Sequence, residues 1–193
     1  MTVLPIIPFA HDLLARALSP GDSAIDCTVG NGHDTLFLAT HVGPCGRVFG
    51  LDIQGSAIAH THTRLTDAGI EGRVALTRAC HASLGDVIPP GAWADVKAAV
   101  FNLGYLPGGD KRICTGADTT IMAIDTLLRR MPVGGVIVLV VYPGHPEGAV
   151  EARAIATHVK DIPRNVARVV TYQVENSQNN PPFVIGLEIL GVM

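Results

Sequence analysis

Aromatic residues are scarce. Phe, Trp and Tyr make up 5% of the 193 residues. A broad stacking platform for single-stranded nucleic acid is therefore not available, and any stacked base must rest on one or two rings. Basic charge is scarce as well. Lys and Arg total 14 against 17 Asp and Glu, for a net charge of −3. The surface as a whole does not draw in a polyanion, so any RNA contact must come from a local basic patch. No apolar run reaches the about 18 residues of a membrane span. The longest, Val136 to Tyr142, has the length of a buried strand. No basic stretch followed by a long apolar one opens the chain, so no signal peptide is expected. Cysteine occurs four times, at Cys27, Cys45, Cys80 and Cys114, with no C-x-x-C. That fits reduced thiols in a cytoplasm better than a disulfide framework or a zinc site. None of the eight histidines pairs at a ligand spacing with a matching Cys or Glu set, so no metal is expected. His60 and His62, two apart on a predicted helix, face different sides.

Apolar residues are plentiful, at 48% of the chain, and mean hydropathy is +0.34. Disorder is excluded, and the length suits one α/β domain over residues 1–193. There is no internal repeat, low-complexity segment or linker. Residues 1–8 carry Pro5 and Pro8 and read as an extended lead-in to an amphipathic helix from Phe9 to Leu18. Strands are expected at Ser23–Thr28, Arg47–Asp52, Val74–Leu76, Val96–Phe101 and Val136–Tyr142. Helices are expected between them, at about Asp34–His41, Gln54–Ala68 and Thr119–Arg130. A helix from Glu147 to about Val159 precedes two final strands, Val166–Val174 and Phe183–Leu190. Alternation predicts a doubly wound, mostly parallel seven-stranded sheet, Rossmann-like, and the last pair adds an antiparallel strand. That combination resembles the class I methyltransferase sheet.

The chain is organised around D-C-T-V-G-N-G-H-D, Asp26 to Asp34, between the first strand and the helix after it. Gly30 and Gly32 supply the freedom a sharp turn needs. Asp52 ends the next strand, about 20 residues past Gly32, where a carboxylate can accept hydrogen bonds from a ribose. Two cofactors compete for this design. A dinucleotide site wants a third glycine and a helix N-terminus open to pyrophosphate. Here the third position is Thr35, and the Asp34 carboxylate would repel phosphate. S-adenosylmethionine has no phosphate but carries a sulfonium and an ammonium, both favoured by carboxylates. Asp26 and Asp34 therefore favour it, with Gln54 near the ribose and His81, after strand three, near the adenine. In the alternative reading Asp34 only caps its helix.

Asn102-Leu103-Gly104-Tyr105 follows strand four, at the strand ends where α/β ligands bind. Asn102 offers an uncharged carbonyl, the tight turn adds backbone carbonyls, and Tyr105 adds a ring. Such a set can hold an amine by its N–H bonds and aim the lone pair at a methyl group. It resembles the N-P-P-Y loop of amino-group methyltransferases, with Leu-Gly in place of Pro-Pro. The plain alternative is a substrate loop whose Asn caps a turn. His145 and Asp110 are the candidates to accept a proton.

Several strings together resemble the family labelled putative rRNA methylases. They are A-H-D-L-L, D-C-T-V-G-N-G-H-D-T-L-F-L-A, G-L-D-I-Q, F-N-L-G-Y-L-P-G-G-D-K, T-T-I-M-A-I, Y-P-G-H-P-E-G and Q-N-N-P-P-F. The resemblance covers nearly the whole chain. Its characterised members methylate 5-aminomethyl-2-thiouridine at the wobble position of tRNA. The resemblance implies S-adenosylmethionine as donor and a primary amine at tRNA position 34 as acceptor. It places Asn31, Asp34, Asp52, Gln54 and His81 at the donor, and Asn102, Tyr105, Asp110 and His145 around the acceptor. The chain departs from the usual pattern at Cys27, Val29 and Ala82. The expected partner is a tRNA anticodon loop, met by Lys111, Arg112, Arg129, Arg130, Arg153 and Arg164 with the rings of Tyr105 and Tyr142. A homodimer in the cytoplasm completes the expectation, and no membrane is involved. The rivals are a methyltransferase of rRNA or of a small amine, an NAD-dependent oxidoreductase and a non-catalytic cofactor-binding module.

Overall fold

The computed structural model describes residues 3–110 and 112–193. Its elements alternate as the apolar pattern demands. Helix α1 (Ile6–Ala17) leads into β1 (Ser23–Asp26), α2 (His33–His41), β2 (Arg47–Asp52), α3 (Gly55–Asp67) and β3 (Val74–Arg78). Then come the single turn α4 (Leu84–Val87), β4 (Val96–Asn102), α5 (Ala117–Arg130), β5 (Val136–Val141) and α6 (Pro146–Lys160). The chain closes with β6 (Ala167–Tyr172) and β7 (Phe183–Ile189).

The seven strands lie in the order β3-β2-β1-β4-β5-β7-β6. β1 pairs in parallel with β2 and β4, and parallel pairing continues to β3 on one side and β5 on the other. β7 runs antiparallel between β5 and β6. Side chains alternate across the sheet with period two. Ala24, Val48, Ala98 and Val100 face a core shared with Leu14 of α1, Leu38 of α2 and Leu65 of α3. Ile25, Leu51, Ala99 and Phe101 face the opposite core, with Leu84 of α4, Leu127 of α5 and Ile155 of α6. Helices thus cover both faces, and the strand order reverses between β1 and β4. A crevice at the strand C-termini is expected there.

Two local expectations are corrected. α1 begins at Ile6 rather than Phe9, with Phe9 N donating to Pro5 O at 2.9 Å. Pro8 is tolerated because the first turn of a helix has no partner for its N–H groups. Residues 1 and 2 of the expected lead-in lie outside the described residues. Pro89-Pro90-Gly91 does not simply break the chain; Pro90–Asp95 winds into a 3₁₀ turn that buries Trp93. Among the described residues no helix is long and apolar enough to cross a membrane.

Candidate active site

A cavity of about 830 Å³ opens at the C-terminal ends of β1, β2 and β4, at the reversal of strand order. The glycine turn, Asp52 to Gln54, His81, Asn102 to Pro107 and the Tyr142–His145 loop line it.

The glycine turn is held from three sides. Gly30 N donates to Asp52 Oδ2 at 2.9 Å, and Gln54 N donates to Asp52 Oδ1 at 2.9 Å. Each oxygen of Asp52 keeps a lone pair for a further donor. Thr61 of α3 donates to Gly30 O at 3.2 Å, and Arg64 Nε donates to Asn31 O at 2.8 Å. Gly32 has φ +78°, and a Cβ there would stand 2.6 Å from Thr61 Oγ1, so only glycine fits. Asn31 Nδ2 donates to Pro107 O at 3.3 Å, which ties the turn to the loop after β4.

The two aspartates of the first motif part company. Asp26 is fully buried beneath the turn and does not line the cavity. It accepts from Thr35 Oγ1 at 2.6 Å and from Thr28 N at 3.1 Å. Burial, then the charge of Asp34, push its pKa up to about 7. Asp34 does line the cavity. It lies in the first turn of α2 and caps nothing, because Gly32 is the N-cap position. It accepts from His11 Nε2 at 2.7 Å and from Asn102 Nδ2 at 2.9 Å. Burial alone would raise its pKa, but these two bonds, together with the charges of His11 and His33, hold it below the usual carboxylate value. The charge is felt nearby: burial, then Asp34, raise the pKa of the half-buried Tyr142 hydroxyl.

Asn102 ends β4. Its N–H donates to Thr28 Oγ1 at 2.7 Å, and its amide nitrogen is spent on Asp34. The amide is thereby oriented, because only the Nδ2 side can donate to a carboxylate. Oδ1 is left to accept from a ligand. The following turn is fastened from below. Gly104 N donates to Thr115 Oγ1 at 2.9 Å, and Thr115 N donates to Gly104 O at 2.9 Å. Thr115 donates in turn to Glu151 Oε2 at 2.6 Å, and Thr120 donates to Glu151 Oε1 at 2.8 Å. Glu151 is 3% exposed, so a buried carboxyl group on α6 anchors the loop. Gly104's carbonyl thus accepts one bond from within the loop, and Asn102 Oδ1 is a side-chain acceptor the loop presents to the cavity. His81 packs edge-on to Phe101 at 5.6 Å, and burial lowers its pKa against the pull of the Cys27 backbone and Asp52.

His145 is placed differently from a base. It is the N-cap of α6, and its Nδ1 accepts from Gly148 N at 3.1 Å. Glu147 Oε2 lies farther from the same atom, at 3.4 Å. We assign the neutral tautomer with its proton on Nε2, because the shorter bond occupies Nδ1. His145 then donates rather than accepts at Nε2, which is buried and has no partner among the described residues. A Cβ on Gly148 would stand 2.6 Å from that nitrogen, so the cap requires glycine there. Asp110 does not line the cavity. It binds the Arg112 guanidinium at 2.6 Å, and that bond holds its pKa below the ordinary value. A carboxylate so stabilised is a weaker base.

The cavity therefore gathers Gly30, Asn31, Asp34, Asp52, Gln54, His81, Asn102, Tyr105 and His145. Asp26, Gly32 and Asp110 stand behind or outside its wall. Of the expected basic residues, Arg112 stands next to the cavity-lining Ile113, and others lie farther off. α5 and α6 start at the cavity, with Gly116 and His145 in its wall, and run away from it. Arg129 and Arg130 end α5, and Arg164 follows the end of α6, so all three lie on the far side. Arg153 lines a separate shallow hollow on α6. Lys111 lies outside the described residues. His11, Thr28, Thr115 and Glu151 join the site although the sequence alone assigns them no role.

The wall suits S-adenosylmethionine and not a dinucleotide. It offers an ionised Asp34 for positive charge and Asp52 for hydroxyls, and the first turn of α2 holds a carboxylate where phosphate would sit. A family model described as "Putative rRNA methylase" matches residues 48–188. A curated relative from Arabidopsis thaliana, "tRNA (mnm(5)s(2)U34)-methyltransferase, chloroplastic", is 40% identical over 183 residues. The match covers 91% of this chain and 66% of the relative, so the chain spans about two thirds of the length of that protein. A "putative rRNA-methylase" structure from Clostridium thermocellum superposes with a TM-score of 0.94 at 37% identity, covering 98% of this chain and 100% of the other. A "putative methyltransferase" from Streptococcus mutans, solved with SAH, superposes with a TM-score of 0.88 at 32% identity, with the same coverage.

Proposed function

The chain belongs to the "Putative rRNA methylase" family and is an S-adenosylmethionine-dependent methyltransferase, and from that premise we propose that it N-methylates the aminomethyl group of 5-aminomethyl-2-thiouridine at wobble position 34 of tRNA. One observation carries the choice of an amine: the oriented Asn102 amide, whose Oδ1 has no partner among the described residues and stands at the strand end. The activity of the Arabidopsis relative favours a tRNA amine over rRNA or a small molecule.

Asp52 and Gln54 would hold the ribose end of the cofactor, and His81 the adenine side. Asp34 would face its cationic end. When bound, S-adenosylmethionine supplies an electrophilic methyl group, which the amine takes through its lone pair as the S–C bond breaks. Asn102 Oδ1 accepts an N–H of the amine and so points the lone pair away from itself. His11 and Thr28 keep that amide in place. Tyr105 covers the acceptor, and the Asn31–Pro107 bond closes the loop over the cavity and limits water. Orientation is the main contribution, because a neutral amine needs no base to attack. The surplus proton leaves the product ammonium to solvent. An anticodon loop with the target base unstacked is the RNA element that fits.

The test offers the protein two RNAs with methyl-labelled S-adenosylmethionine. One is tRNA carrying aminomethyl-thiouridine; the other is rRNA. Label in the tRNA supports the proposal, and label confined to rRNA overturns it.

A further inference from the structure

Ten described residues have a backbone φ between +20° and +160°, and eight of them are glycine. The two exceptions are neighbours, Asn179 at φ +65° and Asn180 at φ +46°. Both line the cavity described above. A turn by itself needs only tolerance of positive φ, and glycine supplies that without a side chain. This chain uses glycine for the purpose everywhere else it is described. Asparagine is the next most tolerant residue, and its usual reason for standing in a turn is a side-chain bond to nearby backbone. Neither amide makes a hydrogen bond to a described residue. Both residues are exposed. Two amide groups are thus held at a cavity mouth, in a conformation that disfavours most side chains, with no hydrogen-bond partner among the described residues.

Their position says what they would meet. Pro181 and Pro182 fix the exit of the loop into β7, whose first residue Phe183 pairs with Val141 at the end of β5. The loop therefore lies beside Tyr142 to His145, and a Cβ on Gly144 would stand 3.9 Å from Asn180 O. Tyr142 to His145 line the cavity on the side of the loop after β4, so the loop stands at the acceptor end. A primary amide presents one donor and one acceptor side by side. The imide edge of a uracil-type base presents the complementary pair, a C=O beside an N–H. Unstacked bases are read on that edge in single-stranded RNA and in flipped-base pockets.

We propose that Asn179 and Asn180 form the base-reading element of the acceptor site, their amides pairing with the imide edge of the nucleotide whose amine is methylated. The inference rests on the RNA reading above. It adds residues that determine which base is held, distinct from Asn102, which faces the amine.

The test is the Asn179→Gly/Asn180→Gly double variant, which keeps the backbone free to adopt positive φ and removes both amides. Steady-state kinetics on tRNA carrying aminomethyl-thiouridine should show KM raised about tenfold to a hundredfold, with a smaller change in kcat. Affinity for S-adenosylhomocysteine by calorimetry should stay within about twofold of wild type. Asn179→Asp/Asn180→Asp also tolerates the turn but loses the N–H donors, and it should raise KM as well. An unchanged KM in a folded glycine variant overturns the inference while wild-type methylation of the tRNA leaves the proposed function standing. Equal losses of tRNA and S-adenosylhomocysteine affinity overturn it too, because the loop would then serve the cofactor. If wild type does not methylate the tRNA, the proposed function falls and the base-reading role falls with it.

Discussion

The amide nitrogen of Asn102, at the end of β4, lies 2.9 Å from Oδ2 of Asp34 in the first turn of α2. The bond joins two motifs 68 residues apart and sets which end of the amide meets a ligand. The other oxygen of the same carboxylate accepts from His11, so one side chain links α1, α2 and the end of β4.

Replacing Asp34 by Asn removes the charge that selects the Nδ2 end, so the Asn102 amide becomes free to turn. Single-turnover methyl transfer should slow by about a hundredfold, the scale of a small misplacement of a reacting group. Asn102→Asp should do the same by setting two carboxylates side by side. Transfer within a factor of about three of wild type in either variant contradicts the orienting role.

His11 supplies the second bond to Asp34, at 2.7 Å, and stacks on Phe37 at 4.0 Å. His11→Ala should reduce kcat by about tenfold, in the range of one lost hydrogen bond to a charged group. His11→Gln, which can place its Nε2 similarly, should recover part of the loss. Rescue by Gln separates an orienting role from one of packing, since Gln restores the donor and not the ring.

His145 caps α6 through Nδ1, so its removal should be felt in stability. His145→Ala should destabilise the protein by about 1 kcal/mol in urea unfolding, as loss of an N-cap does. His145→Asn, whose side-chain oxygen reaches the same N–H, should stay near wild type. Equal losses in both variants contradict the cap.

Asp26 makes stability depend on pH in a direction opposite to most carboxylates. Its pKa in the folded protein is about 7 against 3.8 for the free side chain. Between those values the folded state keeps a proton that the unfolded state has released. Its contribution is therefore fully present below about pH 4 and is lost as pH rises through 7. Asp26→Asn removes this dependence and can still accept from Thr28 N. The melting temperature of the variant relative to wild type should rise between pH 4 and pH 8. A difference that stays flat contradicts the raised pKa.

Much of this site is legible in sequence because it is local. The glycine turn, the acid ending β2 and the Asn ending β4 each follow from a short string between an apolar run and a helix. The parallel order then brings the three together. His11 is not legible in that way. It meets Asp34 only because α1 crosses the sheet beside α2, a contact between residues 23 apart; the string A-H-D-L-L contains it but does not say what it meets. Asp26 and Asp34 look alike in sequence, but a strand residue beneath the turn is sealed by the next layer while a helix residue is not. Glu151 reads as an ordinary helix acid until Thr115 and Thr120 are seen to enclose it. Arg129, Arg130 and Arg164 mislead for a topological reason, since helices of a parallel sheet carry their last turns away from the strand ends that bind ligands.

The most direct measurement is mass spectrometry of nucleosides from tRNA carrying aminomethyl-thiouridine, after incubation with the protein and S-adenosylmethionine. One added methyl is expected on the aminomethyl-thiouridine nucleoside, absent with Asn102→Ala although that variant still binds S-adenosylhomocysteine. A methyl found on another nucleoside, or an Asn102→Ala variant as active as wild type, contradicts it.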